Sequence, residues 1–262
     1  MVIAHGKRGL LPLARLCAAL RFLTLLPISW RAEEDGHHFG ASLPYFILVG
    51  ALIGLTVAML AFGGQYLLPQ PVTAMLAVAM LAGVSGFLHL DGLSDSADGL
   101  LSSRSREASL AIMKDSRAGA MGIVAVVVVL LTKFAALTSV PVALFPQTLF
   151  LMALGGRCAI LVMMAVLPYA RQEGGLGTLF YCGNSRRAAL LAAVALMFSV
   201  MVVAPGQLVA VLVVLGLVLL LFCRWCMNKL GGATGDTLGA VCELAETAVA
   251  VAMTVSLTSY SS

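Results

Sequence analysis

Charged side chains are scarce in this chain. The 16 basic and 12 acidic residues make up 11% of its 262 positions, where an ordinary soluble domain has about 25%. Apolar residues account for 61%, and the mean hydropathy is +1.02. That leaves too little polar side chain to cover a water-facing surface. The composition therefore speaks against a soluble globular enzyme and against a disordered chain. Cysteine is also sparse: six residues, at 17, 158, 182, 223, 226 and 242, which does not make a disulfide scaffold. Cys223 and Cys226 have the CxxC spacing, but they read as incidental membrane-helix cysteines. The net charge of +4 reads as topology, with no nucleic-acid partner implied.

Long apolar runs are what the chain does have. A membrane-spanning helix needs about 20 mostly apolar residues. Seven stretches qualify: 41–63, 72–90, 119–139, 145–167, 189–204, 207–223 and 237–257. The fifth and sixth are short and meet at Pro205-Gly206, a turn pair. They predict two thin helices or a re-entrant hairpin. At the N-terminus, Arg15 and Arg21 interrupt the apolar residues and no small-residue cleavage site follows, unlike a signal peptide. Residues 12–28 instead predict an interfacial helix ending near Pro27. It would lay Phe22, Leu23, Leu25 and Leu26 against lipid or the bundle. The expected fold is thus an all-α polytopic membrane bundle of about seven spans plus this helix. Residues 1–262 would form a single membrane-embedded catalytic domain.

All the basic residues except Lys133 and Arg157 fall in four segments: the N-terminus, 91–118, 168–188 and 224–236. The alternate connections, 64–71, 140–144 and 205–206, contain none. Basic residues in short loops collect on the cytoplasmic side, so the N-terminus reads as inside and the C-terminus as outside. Lys133 lies late in its span, where its stem would snorkel to the headgroups. Arg157 sits mid-span after Gly155-Gly156 and calls for an acidic partner. Phosphate binding and an internal ion pair are equally open for it.

The acidic residues form a pattern. Asp91, Asp95 and Asp98 are spaced i, i+4, i+7, which lines one face of a helix. Carboxylates so close repel unless a cation neutralises them. Hard oxygen ligands suit Mg²⁺ or Mn²⁺, with phosphate oxygens and water completing the shell. His89 precedes the run and either orients a carboxylate or relays a proton; no zinc set surrounds it. Lys114 and Arg117 flank Asp115 just before the third span. A cationic pair facing a carboxylate-bound metal is equipment for phosphoryl transfer. Farther on, Gly231-Gly232-Ala233-Thr234-Gly235-Asp236 reads as a backbone turn able to cradle phosphate, with Thr234 and Asp236 as oxygen ligands. Glu243 and Glu246 share a face beyond it and need Arg157 or the aspartates as partners. Segment 168–188 is either a substrate-covering loop or a plain connection.

Four stretches together resemble one family, cobalamin synthase, also called adenosylcobinamide-GDP ribazoletransferase. They are Arg21-Phe22-Leu23-Thr24-Leu25-Leu26-Pro27, residues 89–99 from His89 to Gly99, Met113-Lys114-Asp115-Ser116-Arg117-Ala118-Gly119, and residues 231–236 with Glu243 and Glu246. The resemblance runs from about residue 12 to 257. It implies joining of adenosylcobinamide-GDP to alpha-ribazole or alpha-ribazole 5'-phosphate with release of GMP, in the presence of Mg²⁺. It implies a multi-pass protein of the bacterial inner membrane with its site facing the cytoplasm. Besides the substrates, membrane lipid is the expected partner, and a homo-oligomer is left open. Under this reading Asp91, Asp95, Asp98 and Asp236 hold Mg²⁺. Lys114, Arg117 and Arg157 neutralise the pyrophosphate. Asp115 completes the catalytic set, and Gly232, Thr234, Gly235, Glu243 and Glu246 contact the substrate.

Three other classes compete, of which a non-catalytic assembly protein would not need this carboxylate set. The aspartate repeat also resembles that of CDP-alcohol phosphotransferases, which would make the chain a lipid headgroup transferase. It lacks their Asp-Gly-x-x-Ala-Arg form, because Ser94-Asp95 stands where Ala-Arg would. A transporter would explain a mid-span arginine. Against that class, no inverted halves are visible and the acidic residues crowd one end.

Overall fold

The computed structural model describes residues 11–30, 35–115, 117–171, 181 and 185–255. It is all-helical apart from one isolated bridge, Tyr169 to Ala233. In chain order the α-helices are α1 Leu11–Leu23, α2 Asp35–Ser42, α3 Tyr45–Gly64, α4 Gln70–Gly83, α5 Leu88–Leu100 and α6 Arg106–Ile112. They continue with α7 Ala120–Ser139, α8 Phe145–Val166, α9 Ser185–Val203, α10 Leu208–Leu230 and α11 Gly235–Ala252. Among the described residues, five helical segments are long and apolar enough to cross a membrane: α3, α7, Val142–Val166, α9 and Pro205–Leu230. A sixth arises if α4 and α5 are counted as one bent span. Length and composition thus support five or six spans among the described residues and do not reach the expected seven.

The two differences have physical causes. The run 72–90 is not one straight helix, because α4 and α5 meet at 83°. Gly86 and Phe87 both take left-handed backbone there, with φ of 61° and 62°, and a non-glycine residue rarely holds that conformation. The Leu25 amide donates to the Val84 carbonyl at 2.8 Å, so the segment after α1 is bound to this break. The run 237–257 does form a helix, α11, but Asp236, Glu243 and Glu246 make it too charged to face lipid. It is instead enclosed, with almost every residue buried. The short fifth and sixth runs are two separate long helices, joined by a single 3-10 turn at Pro205–Gln207. The N-terminal helix stops at Leu23, earlier than expected. Leu23 is buried, whereas Leu25 and Leu26 are exposed.

Helix α8 is the hub. Of its spanning window 78% is buried, against 22% for the peripheral α10. Small residues permit the close packing that holds helices together without a hydrophobic driving force in lipid. A Cβ on Gly156 would come within 2.7 Å of Cys242 Sγ and 3.0 Å of Glu246 Cγ on α11. The basic segments are tied to one another. Arg106 donates to the Leu230 and Ala170 carbonyls at 2.5 and 2.9 Å, and Lys229 donates to the Ser102 and Arg104 carbonyls, both at 2.7 Å. At the opposite end, Gln70 beside the basic-free connection 64–71 donates to the Leu137 and Val140 carbonyls at 2.9 Å. The charge asymmetry of the sequence is thus an asymmetry of the two ends of the bundle.

Candidate active site

Asp91, Asp95 and Asp98 all lie on α5, as their spacing predicts. They do not all turn to one place. A rise of 1.5 Å per residue separates the first from the last by about 10 Å. Asp98 accepts hydrogen bonds from the Gly119 amide at 2.7 Å and the Gly122 amide at 2.9 Å. It supplies the N-terminal acceptor that Gly119, lacking a side chain, cannot give α7. Asp91 lies about two turns earlier on the helix. It lines a cavity of about 170 Å³ with His89, Gly92, Gly235 and Asp236, walled by Phe22, Phe46, Ile160 and Met164.

Two glycines bring Asp91 and Asp236 to the same cavity. At Gly92 an added Cβ would lie 2.7 Å from the Asp236 carbonyl oxygen and 3.2 Å from Gly239 Cα. At Gly239 it would meet His89 Cα at 3.2 Å. Backbone contact between α5 and α11 is therefore possible only without these side chains. Asp95 is in electrostatic reach of Asp91, Asp236, Asp98 and Arg171. Among the described residues, however, no three His, Cys, Asp or Glu side chains are gathered closely enough to hold a metal ion. The four aspartates are neighbours without forming a finished cage.

The glycine-rich turn is built by local chemistry. Gly231 ends α10 in left-handed backbone, φ 74°. Ala233 pairs with the 168–170 segment: its amide donates to the Pro168 carbonyl and its carbonyl accepts from Ala170, both at 2.8 Å. Gly232 packs against that Pro168 carbonyl. Thr234 caps α11 in a reciprocal pair with Thr237. Thr234 and Gly232 are both buried and serve the turn itself, whereas Gly235 is exposed and lines the cavity.

A second, open cavity of about 590 Å³ lies alongside, lined by Arg106, Glu107, Leu110, Ala111, Lys114, Ala170 and Arg171. Its cations are of different kinds. Arg106 is committed to the two carbonyls described above. Lys114 is exposed. Arg171 Nη2 donates to Asp236 Oδ2 at 2.7 Å, and so links this cleft to the acidic cavity. Asp115 lines neither. Its two oxygens hold Arg117 through Nε at 3.0 Å and Nη2 at 2.7 Å. These bonds draw the Asp115 carboxyl down to about 2. Arg117 itself is largely exposed.

The remaining expected residues form a separate feature. Lys133 is buried, not snorkelling. Its ammonium donates to Glu243 Oε2 and Glu246 Oε2, each at 2.6 Å. Arg157 Nη1 donates to Glu246 Oε1 at 2.5 Å. The acidic partner required by Arg157 is thus Glu246, and two cations balance two anions across α7, α8 and α11. Arg157, Glu243 and Glu246 line neither cavity. The partners in this network are 89 to 113 residues apart in sequence. Helical spacing therefore carried no sign that Lys133 belonged to it. Arg171 escaped for the same reason: only the basic character of 168–188 pointed toward it.

Comparison with known proteins places the chain in a family. The profile of the family described as cobalamin-5-phosphate synthase matches residues 15–254. An adenosylcobinamide-GDP ribazoletransferase of Acetivibrio thermocellus is 35% identical, covering 90% of this chain and 95% of its own. One of Geotalea daltonii is 40% identical, covering 87% and 92%. One of Pseudomonas putida is 38% identical, covering 91% and 98%. No solved structure matches the chain. With both cavities inside the matched region, and relatives aligned over nearly their whole length, the chain belongs to the cobalamin-5-phosphate synthase family.

Proposed function

We propose that the acidic cavity and the basic cleft act together on one diphosphate. The chain transfers the phosphoadenosylcobinamide part of adenosylcobinamide-GDP to alpha-ribazole, or to its 5'-phosphate, and releases GMP. The observation that carries this reading is the Arg171–Asp236 contact. It joins a cavity holding Asp91 and His89 to a cleft holding Lys114. Carboxylates on one side and cations on the other suit a group that must be bound and polarised at once.

In the displacement, a ribazole hydroxyl oxygen forms a bond to the phosphorus on the cobinamide arm. The bond from that phosphorus to the bridging oxygen breaks, and GMP departs with the electron pair. The hydroxyl proton passes to a base at the acidic cavity, where Asp91 and His89 stand. Lys114 and Arg171 attract the phosphate oxygens, and the wall of Phe22, Phe46, Ile160 and Met164 limits water.

The donor set fits Mg²⁺. This ion takes one or two carboxylates and completes its shell with phosphate oxygens and water, so a finished protein cage is not needed. Asp91 and Asp236, which line the cavity, would hold it, with Asp95 as their neighbour; Asp98 has both oxygens engaged by amides and supports from behind. When bound, the ion neutralises charge on the diphosphate. The site faces the cytoplasm of the bacterial inner membrane, as the basic loops at that end indicate. Under this reading Glu243, Glu246 and Arg157 maintain the bundle and do not touch substrate.

The test is GMP release by the purified full chain in detergent, supplied with adenosylcobinamide-GDP, Mg²⁺ and each ribazole form in turn. GMP should appear with the joined product and stop on chelation. No GMP with either acceptor, beside an active preparation of a relative, would overturn the assignment.

A further inference from the structure

Arg171 stands where the two cavities meet. It lines the cleft with Lys114 and Arg106, while its Nη2 bonds to Asp236 Oδ2 on the side of the acidic cavity. Its Nε is buried and makes no hydrogen bond, so the guanidinium has donor capacity that the Asp236 contact does not use. The pair is partly exposed, at 19% for Arg171 and 22% for Asp236. Solvent and solute can therefore still reach the pair. A diphosphate carries more charge than one carboxylate and offers a guanidinium paired oxygens. Arg106 is held more firmly in place, because its Nε and Nη2 donate to the Leu230 and Ala170 carbonyls.

Resting on the phosphotransfer reading above, we propose that Arg171 positions the diphosphate of the nucleotide-activated substrate and exchanges Asp236 for it when substrate enters. In the structure the cation covers the Asp236 carboxylate. On exchange that carboxylate is released toward the divalent ion that accompanies the diphosphate. Ion and nucleotide therefore bind cooperatively, and each strengthens the other by the same factor.

Mn²⁺ serves as a paramagnetic probe for the divalent ion, with the full chain in detergent and free Mn²⁺ read by electron paramagnetic resonance. Wild-type protein should bind Mn²⁺ about tenfold more tightly once adenosylcobinamide-GDP is added. Arg171→Gln should bind Mn²⁺ about tenfold more tightly than wild type without substrate, and gain less than wild type when substrate is added. Its KM for adenosylcobinamide-GDP should rise. Arg171→Lys keeps the charge without the fork. It should retain the low resting Mn²⁺ affinity while its KM rises, and it serves if the Gln variant fails to fold. Should Arg171→Gln and wild type bind Mn²⁺ equally without substrate, while substrate tightens both, the exchange is overturned and the phosphotransfer reading stands. Should substrate leave Mn²⁺ binding by wild type unchanged and no GMP be released, the phosphotransfer reading itself falls.

Discussion

Arg157 Nη1 lies 2.5 Å from Glu246 Oε1, with the guanidinium sealed from solvent and the carboxylate 2% exposed. A charge pair so placed costs much to break on one side, because the surviving ion stays buried and unpaired. Glu246→Gln leaves Arg157 without its anion and Lys133 with Glu243 alone. The variant should lose about 3 kcal/mol or more of stability. Denaturant unfolding in mixed micelles, followed by tryptophan fluorescence, measures this. A loss under about 0.5 kcal/mol, the scale of an exposed pair, would show that the network is not structural.

Asp91 is the carboxylate of α5 that faces the acidic cavity. Asp91→Asn keeps the shape and removes the charge. GMP release should fall by about a hundredfold or more, with circular dichroism and unfolding midpoint close to wild type. Near-normal turnover would take Asp91 out of the reaction.

At Gly92 the helices α5 and α11 touch backbone to backbone. Gly92→Val forces a side chain into a 2.7 Å gap beside the Asp236 carbonyl, and overpacking of this kind costs about 1–3 kcal/mol. Asp91 would be pushed away from Asp236, so turnover should drop more than stability does. Gly216 on α10 has open space around it, and Gly216→Ala should leave turnover unchanged and cost no stability. Equal behaviour of the two variants would contradict the packing described.

Asp98 provides the N-terminal acceptor of α7. Asp98→Ala leaves the Gly119 and Gly122 amides without it and should cost about 1 kcal/mol, the scale of a lost helix cap. Asp98→Asn keeps one acceptor oxygen and should lose less. Faster hydrogen exchange at residues 119–122 in the Ala variant, measured by mass spectrometry, checks the mechanism. Unchanged exchange would mean the amides have other partners.

Much of this is legible in the sequence. The apolar runs 41–63, 119–139 and 145–167 became α3, α7 and α8 almost end to end, because hydrocarbon thickness sets the length of a spanning helix. The i, i+4, i+7 aspartates were read correctly as one helix. The need of Arg157 for an anion was legible from its depth alone. The bend at Gly86 and Phe87 was not, since a left-handed phenylalanine leaves no mark on hydropathy. Lys133 misled because a lysine near a span end suits either a headgroup or a buried glutamate.

Local sequence decided which segments are helical and which end of the bundle carries the cations; both follow from properties of single residues and their near neighbours along the chain. Only the tertiary structure decided which charges meet. Arg171 reaches Asp236 across 65 positions, and Asp98 reaches the start of α7 across 21 and 24. Coulomb energy and hydrogen-bond geometry depend on distance in space, and a linear spacing holds that information only within a helix turn or two.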